Sequence, residues 1–214
     1  MFDLGGDEAE RSRPIGVVPD GVVPDLVLGI DPGVSRCGYG VVRREGSQFR
    51  AVAYGVIRTA PSDELPSRLA ILLHELDALI VEYRPVALAV ERVLFQVNTR
   101  TAMSVGQASG LALALAGRAG IPVVNYSPNE VKLAVAGDGG AGKFEVQTMV
   151  MRLLQLAELP DPPDAADALA LALCHWWRAP LVAQGAVAGG RSSKLDDAIA
   201  AALAKDSSMS KGVR

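Results

Sequence analysis

Four carboxylates in this 214-residue chain stand where a structural element ends or begins. Asp31 follows the apolar run Leu26 to Ile30, Glu91 follows Val86 to Val90, and Asp164 and Asp167 lie in the segment Pro163-Asp-Ala-Ala-Asp-Ala-Leu169. Each has a plain explanation when taken alone. Asp31-Pro32-Gly33 is turn punctuation, because proline fixes φ, glycine allows positive φ and the Asp side chain can bond nearby backbone N–H groups. Asp is equally at home in the first turn of a helix, as a cap and as a complement to the helix dipole. Taken jointly they suggest more. Asp164 and Asp167, at i and i+3, share one face of a helical turn, and two strand ends deliver the other acids with little basic charge nearby to pair with. Four gathered carboxylates repel one another unless cations sit among them. An all-oxygen donor set with open positions suits Mg²⁺ or Mn²⁺, and two such ions roughly 3.5–4 Å apart can activate water and steady the leaving oxygen in phosphodiester cleavage.

The elements that must position these acids are readable from apolar spacing. Leu26 to Ile30 is too short for a helix and reads as a strand buried on both faces. Gly38 to Arg44 and Phe49 to Arg58, separated by the turn Glu45-Gly46-Ser47, continue it as an antiparallel meander. Ser62-Asp63-Glu64 opens an amphipathic helix whose Leu69, Leu72, Leu73, Leu76, Leu79 and Ile80 recur every three or four residues, ending before Pro85. Val86 to Val90 is a fourth strand, and Arg92 to Arg100 a loop. Thr101 to Gly120 is a helix of small and apolar residues in which Gly106, Ala108, Ser109, Gly110 and Ala112 allow close backbone approach; it is either central to the fold or also covers a partner subunit. Ile121 to Tyr126 is the fifth strand. Asn129 to Val135, Gly142 to Leu159 and Pro163 to Arg178 are expected helices, with residues 137–142 a flexible connector. The expected fold is α/β, a mixed five-stranded sheet flanked by helices.

Half of the residues are hydrophobic, enough for one domain over residues 26–178. Residues 1–25 are expected to be a disordered extension and 179–214 a flexible tail. No apolar run approaches the roughly 18 residues of a membrane span, which makes a cytoplasmic protein the default. Cys37 and Cys174 suit neither a disulfide framework nor a zinc site and are expected to be small buried hydrophobes. A net charge of −3 first argues against a nucleic-acid partner. The net negative charge concentrates in the first 25 residues, however, and with the four clustered carboxylates set aside on metal ions the core is net positive. Arg92 and Arg100 flank the loop after Glu91 as phosphate contacts, and Lys194, Lys205, Lys211 and Arg214 could add non-specific attraction from the tail. His74 is expected at the surface. His175, a little over two turns beyond Asp167, either faces the acids or packs.

Four separated stretches carry a family resemblance: LGIDPGVSRCGYGVV, AVERVLFQVNTRTAMSVGQASG, NEVKLAVAG with Lys143 following, and DAADALALALCH. In that order, from Leu26 to about Trp177, they closely resemble the RuvC Holliday-junction resolvases, which have a ribonuclease-H-like fold. The resemblance implies that Asp31, Glu91, Asp164 and Asp167 are metal-binding catalytic acids for two Mg²⁺ ions, with Mn²⁺ as a substitute. It implies that Lys132 and Lys143 lie near the scissile phosphate and the junction backbone. It further implies an endonuclease that cuts four-way DNA junctions in two strands of like polarity, a homodimer formed largely through Thr101 to Gly120, and RuvA and RuvB branch-migration proteins as partners. The family commonly has an aromatic directly after its Glu-Arg/Gln-Val core; here Leu94 stands there and Phe95 one place later, which leaves open which side chain wedges or stacks on bases, with Phe95 counted among the DNA contacts. A sugar-kinase or actin-type ATPase also begins with a strand, Asp and a Gly-rich turn, but needs a second phosphate-binding turn and usually a second domain. A junction-binding protein that no longer cuts is disfavoured by the presence of all four acids.

Overall fold

The computed structural model describes residues 25–92 and 99–188. The expected extension, Leu94 and Phe95, and the tail lysines Lys194, Lys205 and Lys211 with Arg214 lie outside the described residues. The chain divides into two units, Met1–Trp177, which holds the whole sheet, and Arg178–Arg214, whose described part continues the last helix.

Strands β1 (Leu26–Asp31), β2 (Arg36–Glu45) and β3 (Gln48–Arg58) form the expected antiparallel meander, with Gly46 at φ 63° in the tight turn between the last two. Strands β4 (Ala87–Glu91) and β5 (Val123–Tyr126) add in parallel on the other side of β1, giving the order β3-β2-β1-β4-β5. Strand side chains alternate between faces, and this period divides the core in two. Leu28, Ile30, Leu88 and Val90 pack under α1 (Leu65–Tyr83) and α2 (Thr99–Ala119), against Leu72, Leu76, Ala108, Ala112 and Leu115. Val27, Val42, Ala87 and Ala89 pack on the opposite face under α3 (Pro128–Ala136), α4 (Lys143–Leu153) and α5 (Pro163–Ala188). Cys37 and Cys174 are both free and buried.

Several boundaries differ from expectation, each for a local reason. Helix α1 starts at Leu65: Glu64 is its extended N-cap residue, and Pro66 occupies the first turn, where its missing N–H costs nothing. Helix α2 begins two residues earlier than Thr101. Helix α4 stops at Leu153 instead of running to Leu159. The buried Leu154 ends it, Gln155 adopts φ 54°, and the Leu156 N–H reaches back to the Met151 carbonyl, a closing pattern that ends a helix. Helix α5 continues past Arg178 to Ala188.

Candidate active site

The alternation that builds the core also aims the acids. Asp31 and Glu91 share the parity of Val27, Gly29, Ala87 and Ala89, so both fall on the sheet face that carries α5. Strands β1 and β4 are parallel and in register from Val27↔Ala87 to Ile30↔Val90, so the next residues, Asp31 and Glu91, end adjacent strands side by side. Helix α5 supplies the remaining two acids, and glycines let it lie flush on the sheet. A Cβ on Gly29 would stand 2.0 Å from the Ala168 carbonyl oxygen, one on Gly38 2.1 Å from the Asp164 carbonyl oxygen, and one on Gly40 2.7 Å from the Leu169 nitrogen. Gly38 is also the β2 residue paired with Asp31. The first turn of α5 therefore lands beside the end of β1, and the four acids of three elements meet there.

The turn after Asp31 is braced from outside. Thr59 Oγ1 donates to the Val34 carbonyl at 2.7 Å, Arg68 Nε donates to Thr59 Oγ1 at 2.9 Å, and Arg68 Nη2 bonds Ser35 Oγ. Gly33 does not use the positive φ its sequence context suggested. Its lack of a side chain matters for space, since a Cβ would lie 2.4 Å from the Arg36 carbonyl oxygen.

Electrostatics at the site correct one expectation. The acids are not short of basic partners: Arg36 donates through both Nε, at 3.0 Å, and Nη2 to Asp164 Oδ2, and Lys143 Nζ lies 2.9 Å from Asp167 Oδ2. Arg36 begins β2, two residues before Gly38, so the same two-residue period that places the glycines turns it toward α5; the alternation carries that signal, and sequence reasoning missed it. Burial pushes the Asp31 carboxyl up to about 8, reinforced by repulsion from Glu91, Asp167 and Asp164 and by its hydrogen bond with Glu91. Burial and Asp167 also raise Glu91, while the bond from Asp31 and the charge of Lys143 offset part of that rise. Both strand-end carboxyls are thus held above their ordinary values. Burial opposes ionisation of Asp164 as well, but the Arg36 guanidinium outweighs it and holds that carboxyl below its ordinary value. Lys143 is held above its usual range by Asp167.

This donor set fits a hard divalent cation. Its donors are all oxygen, and its negative charge exceeds what Arg36 and Lys143 supply. As the side chains stand, no three His, Cys, Asp or Glu residues among the described residues form a ready ion cage. Arg36 and Lys143 already engage Asp164 and Asp167, so a metal would share those carboxylates with them.

The other expected site residues divide. Lys132 is half-buried in α3 and pairs with no acid among the described residues. Arg92 is tied to the start of α3: its Nη2 donates to the Asn125 carbonyl at 3.2 Å and lies 3.8 Å from Glu130 Oε2, the carboxylate of the capping box with Ser127. Arg100 lies in the first turn of α2. His175 is buried with its Nδ1 3.0 Å from the Tyr126 hydroxyl, and burial lowers its pKa, which gives it a packing role in place of one at the acids. His74 is exposed, as expected.

Comparison with known proteins adds a separate line. The family model described as crossover junction endodeoxyribonuclease RuvC matches residues 27–175. The chain is similar to the crossover junction endodeoxyribonuclease RuvC of Salinispora arenicola, with 53% identity over 169 residues, 78% of this chain and 97% of that relative. Among solved structures it is similar to Thermus thermophilus RuvC in complex with Holliday junction substrate, with a TM-score of 0.70 and 39% identity over 73% of this chain and 95% of that one. In fold alone it is similar to the yeast mitochondrial Holliday junction resolvase Ydc2, with a TM-score of 0.52 and 18% identity over 77% and 85% of the two chains.

Proposed function

The chain belongs to the RuvC family of crossover junction endodeoxyribonucleases and has a ribonuclease-H-like α/β fold, and on that footing we propose that it resolves four-way Holliday junctions in recombination and repair by symmetrical phosphodiester hydrolysis at Asp31, Glu91, Asp164 and Asp167. The observation that carries this is the meeting of two strand ends and one helix start, which brings four carboxylates and Lys143 to one end of the sheet. The family match over residues 27–175 sets aside the ATPase reading.

Two divalent cations, Mg²⁺ or Mn²⁺, would activate water and neutralise charge at the phosphate being cut. The four acids would hold them. Asp31 and Glu91 would serve as ligands once ionised. Arg36 bonds Asp164 through Oδ2 and would keep that carboxylate oriented. Lys143 is placed to donate to a phosphate oxygen near Asp167, and Lys132 to contact the junction backbone, with Arg92, Phe95 and Arg100 as further DNA contacts. A labelled synthetic junction incubated with the protein and Mg²⁺, beside linear duplex, tests the assignment: paired nicks in strands of like polarity are expected on the junction alone, and cleavage of both substrates alike would refute it.

A four-way junction has approximate two-fold symmetry, so a C2 homodimer would present one site to each cut strand. Support comes from α2, whose outward stripe Met103, Gly106, Gly110, Leu113 and Gly117 is exposed, with open space beside all three glycines. Light scattering on the protein alone should give twice the chain mass, and a strict monomer with and without junction would defeat the dimer. We assign RuvA and RuvB as branch-migration partners by family. No helix among the described residues is long and apolar enough to cross a membrane, and we assign the protein to the cytoplasm with its DNA substrate.

The raised carboxyl of Asp31 makes the metal-free protein sensitive to pH. Folded Asp31 keeps its proton to about 8, whereas the ordinary value is 3.8, so between these values the folded state binds the extra proton. Stability of the metal-free protein therefore falls as pH rises through that window. Melting in EDTA should show wild type losing thermal stability relative to Asp31→Asn between about pH 5 and 8. Mg²⁺ or Mn²⁺ at about pH 8 should raise the wild-type Tm and leave the variant nearly unmoved. Parallel curves for the two proteins would remove Asp31 from the metal site.

A further inference from the structure

We infer that Phe144 is a substrate-contacting residue that stacks its ring on a nucleobase beside the phosphate held by Lys143. This rests on the junction-cutting reading of the site.

Phe144 is 71% exposed, ahead of Met103 at 67% and Val81 at 65%. The exposure follows from helix geometry. The core positions of α4 are Val146 and Val150, and at about 100° per residue these lie roughly 200° and 240° around the helix from position 144. The ring therefore projects away from the sheet. The Phe144 carbonyl accepts a hydrogen bond from Thr148 Oγ1 at 2.8 Å, which holds the backbone without engaging the ring. No aromatic ring among the described residues packs on it.

Its position gives the exposed ring an occupant. Lys143, the preceding residue, reaches the acid site with its Nζ 2.9 Å from Asp167. A cation that takes a phosphate oxygen, followed directly by an exposed aromatic that can take the adjoining base, is the combination by which proteins hold unpaired or distorted strands without reading their sequence. Bases next to the crossover of a four-way junction are the ones that can leave their stack. A π-face suits any of the four bases, so the contact would position the strand and leave sequence preference to other residues.

The test uses the full chain and junctions carrying 2-aminopurine at single positions on either side of the mapped cut, with binding measured in EDTA and cleavage in Mg²⁺. Wild type should change the fluorescence at one of these positions. Phe144→Ala should abolish that change and weaken junction binding roughly tenfold, with an unaltered melting curve, and Phe144→Trp should restore both. Val81→Ala is the control: Val81 is 65% exposed but lies in the last turn of α1, which leads to the opposite end of β4 from Glu91, and it should bind as wild type does. Wild-type behaviour by Phe144→Ala, or failure of Phe144→Trp to restore either signal, would overturn the inference. If wild type itself neither binds nor cuts the junction, the reading of the site fails first and takes the inference with it.

Discussion

Replacing Asp31 with Asn, or Glu91 with Gln, is expected to reduce junction cleavage by roughly 10³-fold or more while junction affinity stays within a few-fold of wild type. The two effects separate because different groups carry them. Affinity for DNA comes mainly from cations meeting phosphates, which the proposed site would draw from Lys132, Lys143 and arginines on other elements. The carboxylates, on the same proposal, would hold metal against charge that develops as the phosphodiester breaks. An amide at position 31 keeps the size and the hydrogen bond to Glu91 but contributes no charge to a cation. It also removes a buried acid under repulsion from three others, so the inactive variant should be at least as stable as wild type in metal-free buffer at about pH 8. Gel shift and single-turnover cleavage on one junction would measure both quantities. Near wild-type cleavage by either variant would show that the metal site lies elsewhere.

A methyl group added at Gly38 should be nearly as damaging, although glycine does no chemistry. Its Cβ would stand 2.1 Å from the carbonyl oxygen of Asp164, and backbone cannot move aside as a flexible side chain can. The start of α5 must lift from β2, carrying Asp164 and Asp167 away from Asp31. Overpacking of this kind costs about 1–3 kcal/mol, and the upper end applies to a backbone clash; for a chain of this size that is a Tm lower by roughly 5–10 °C. Cleavage should fall more than stability implies, by roughly 100-fold, because a displacement of about 1 Å is enough to spoil a positioned site. Gly40→Ala, which meets Leu169 farther along the helix, should show the larger share of its effect in stability. If Gly38→Ala melts and cuts as wild type does, helix seating does not set the site.

Asp31 and Gly38 differ in how plainly the sequence announces them. The antiparallel meander, the mixed character of the sheet and the four acids are legible because each rests on local patterns: short apolar runs, a two-residue period and carboxylates at element ends. Helix limits are less so. The extent of α4 depends on Leu154 turning inward and on Gln155 taking a positive φ, and neither shows in apolar spacing. Arg36 escapes a sequence reading for a different reason. A salt bridge over 128 positions of sequence exists only because α5 crosses β2 where it does, and that crossing is fixed by glycines that look like turn residues or gaps in a strand. The pairing of Gly29, Gly38 and Gly40 with α5 shows in their shared parity with Val27 and Val42 only once a helix is sought above them.

The ion pairs of Arg36 with Asp164 and Lys143 with Asp167 bear on how the protein comes to be folded at all. A small metal domain whose ligands repel one another without metal must wait for its ion before it can close. Here two of the four acids bring their own counter-charges from β2 and α4, and burial favours the neutral form of Asp31 beside Glu91. On the proposed reading, assembly of the sheet and seating of α5 would not depend on the supply of divalent cation. The chain would then bind a junction before its metal, and cleavage would start when the ion arrives.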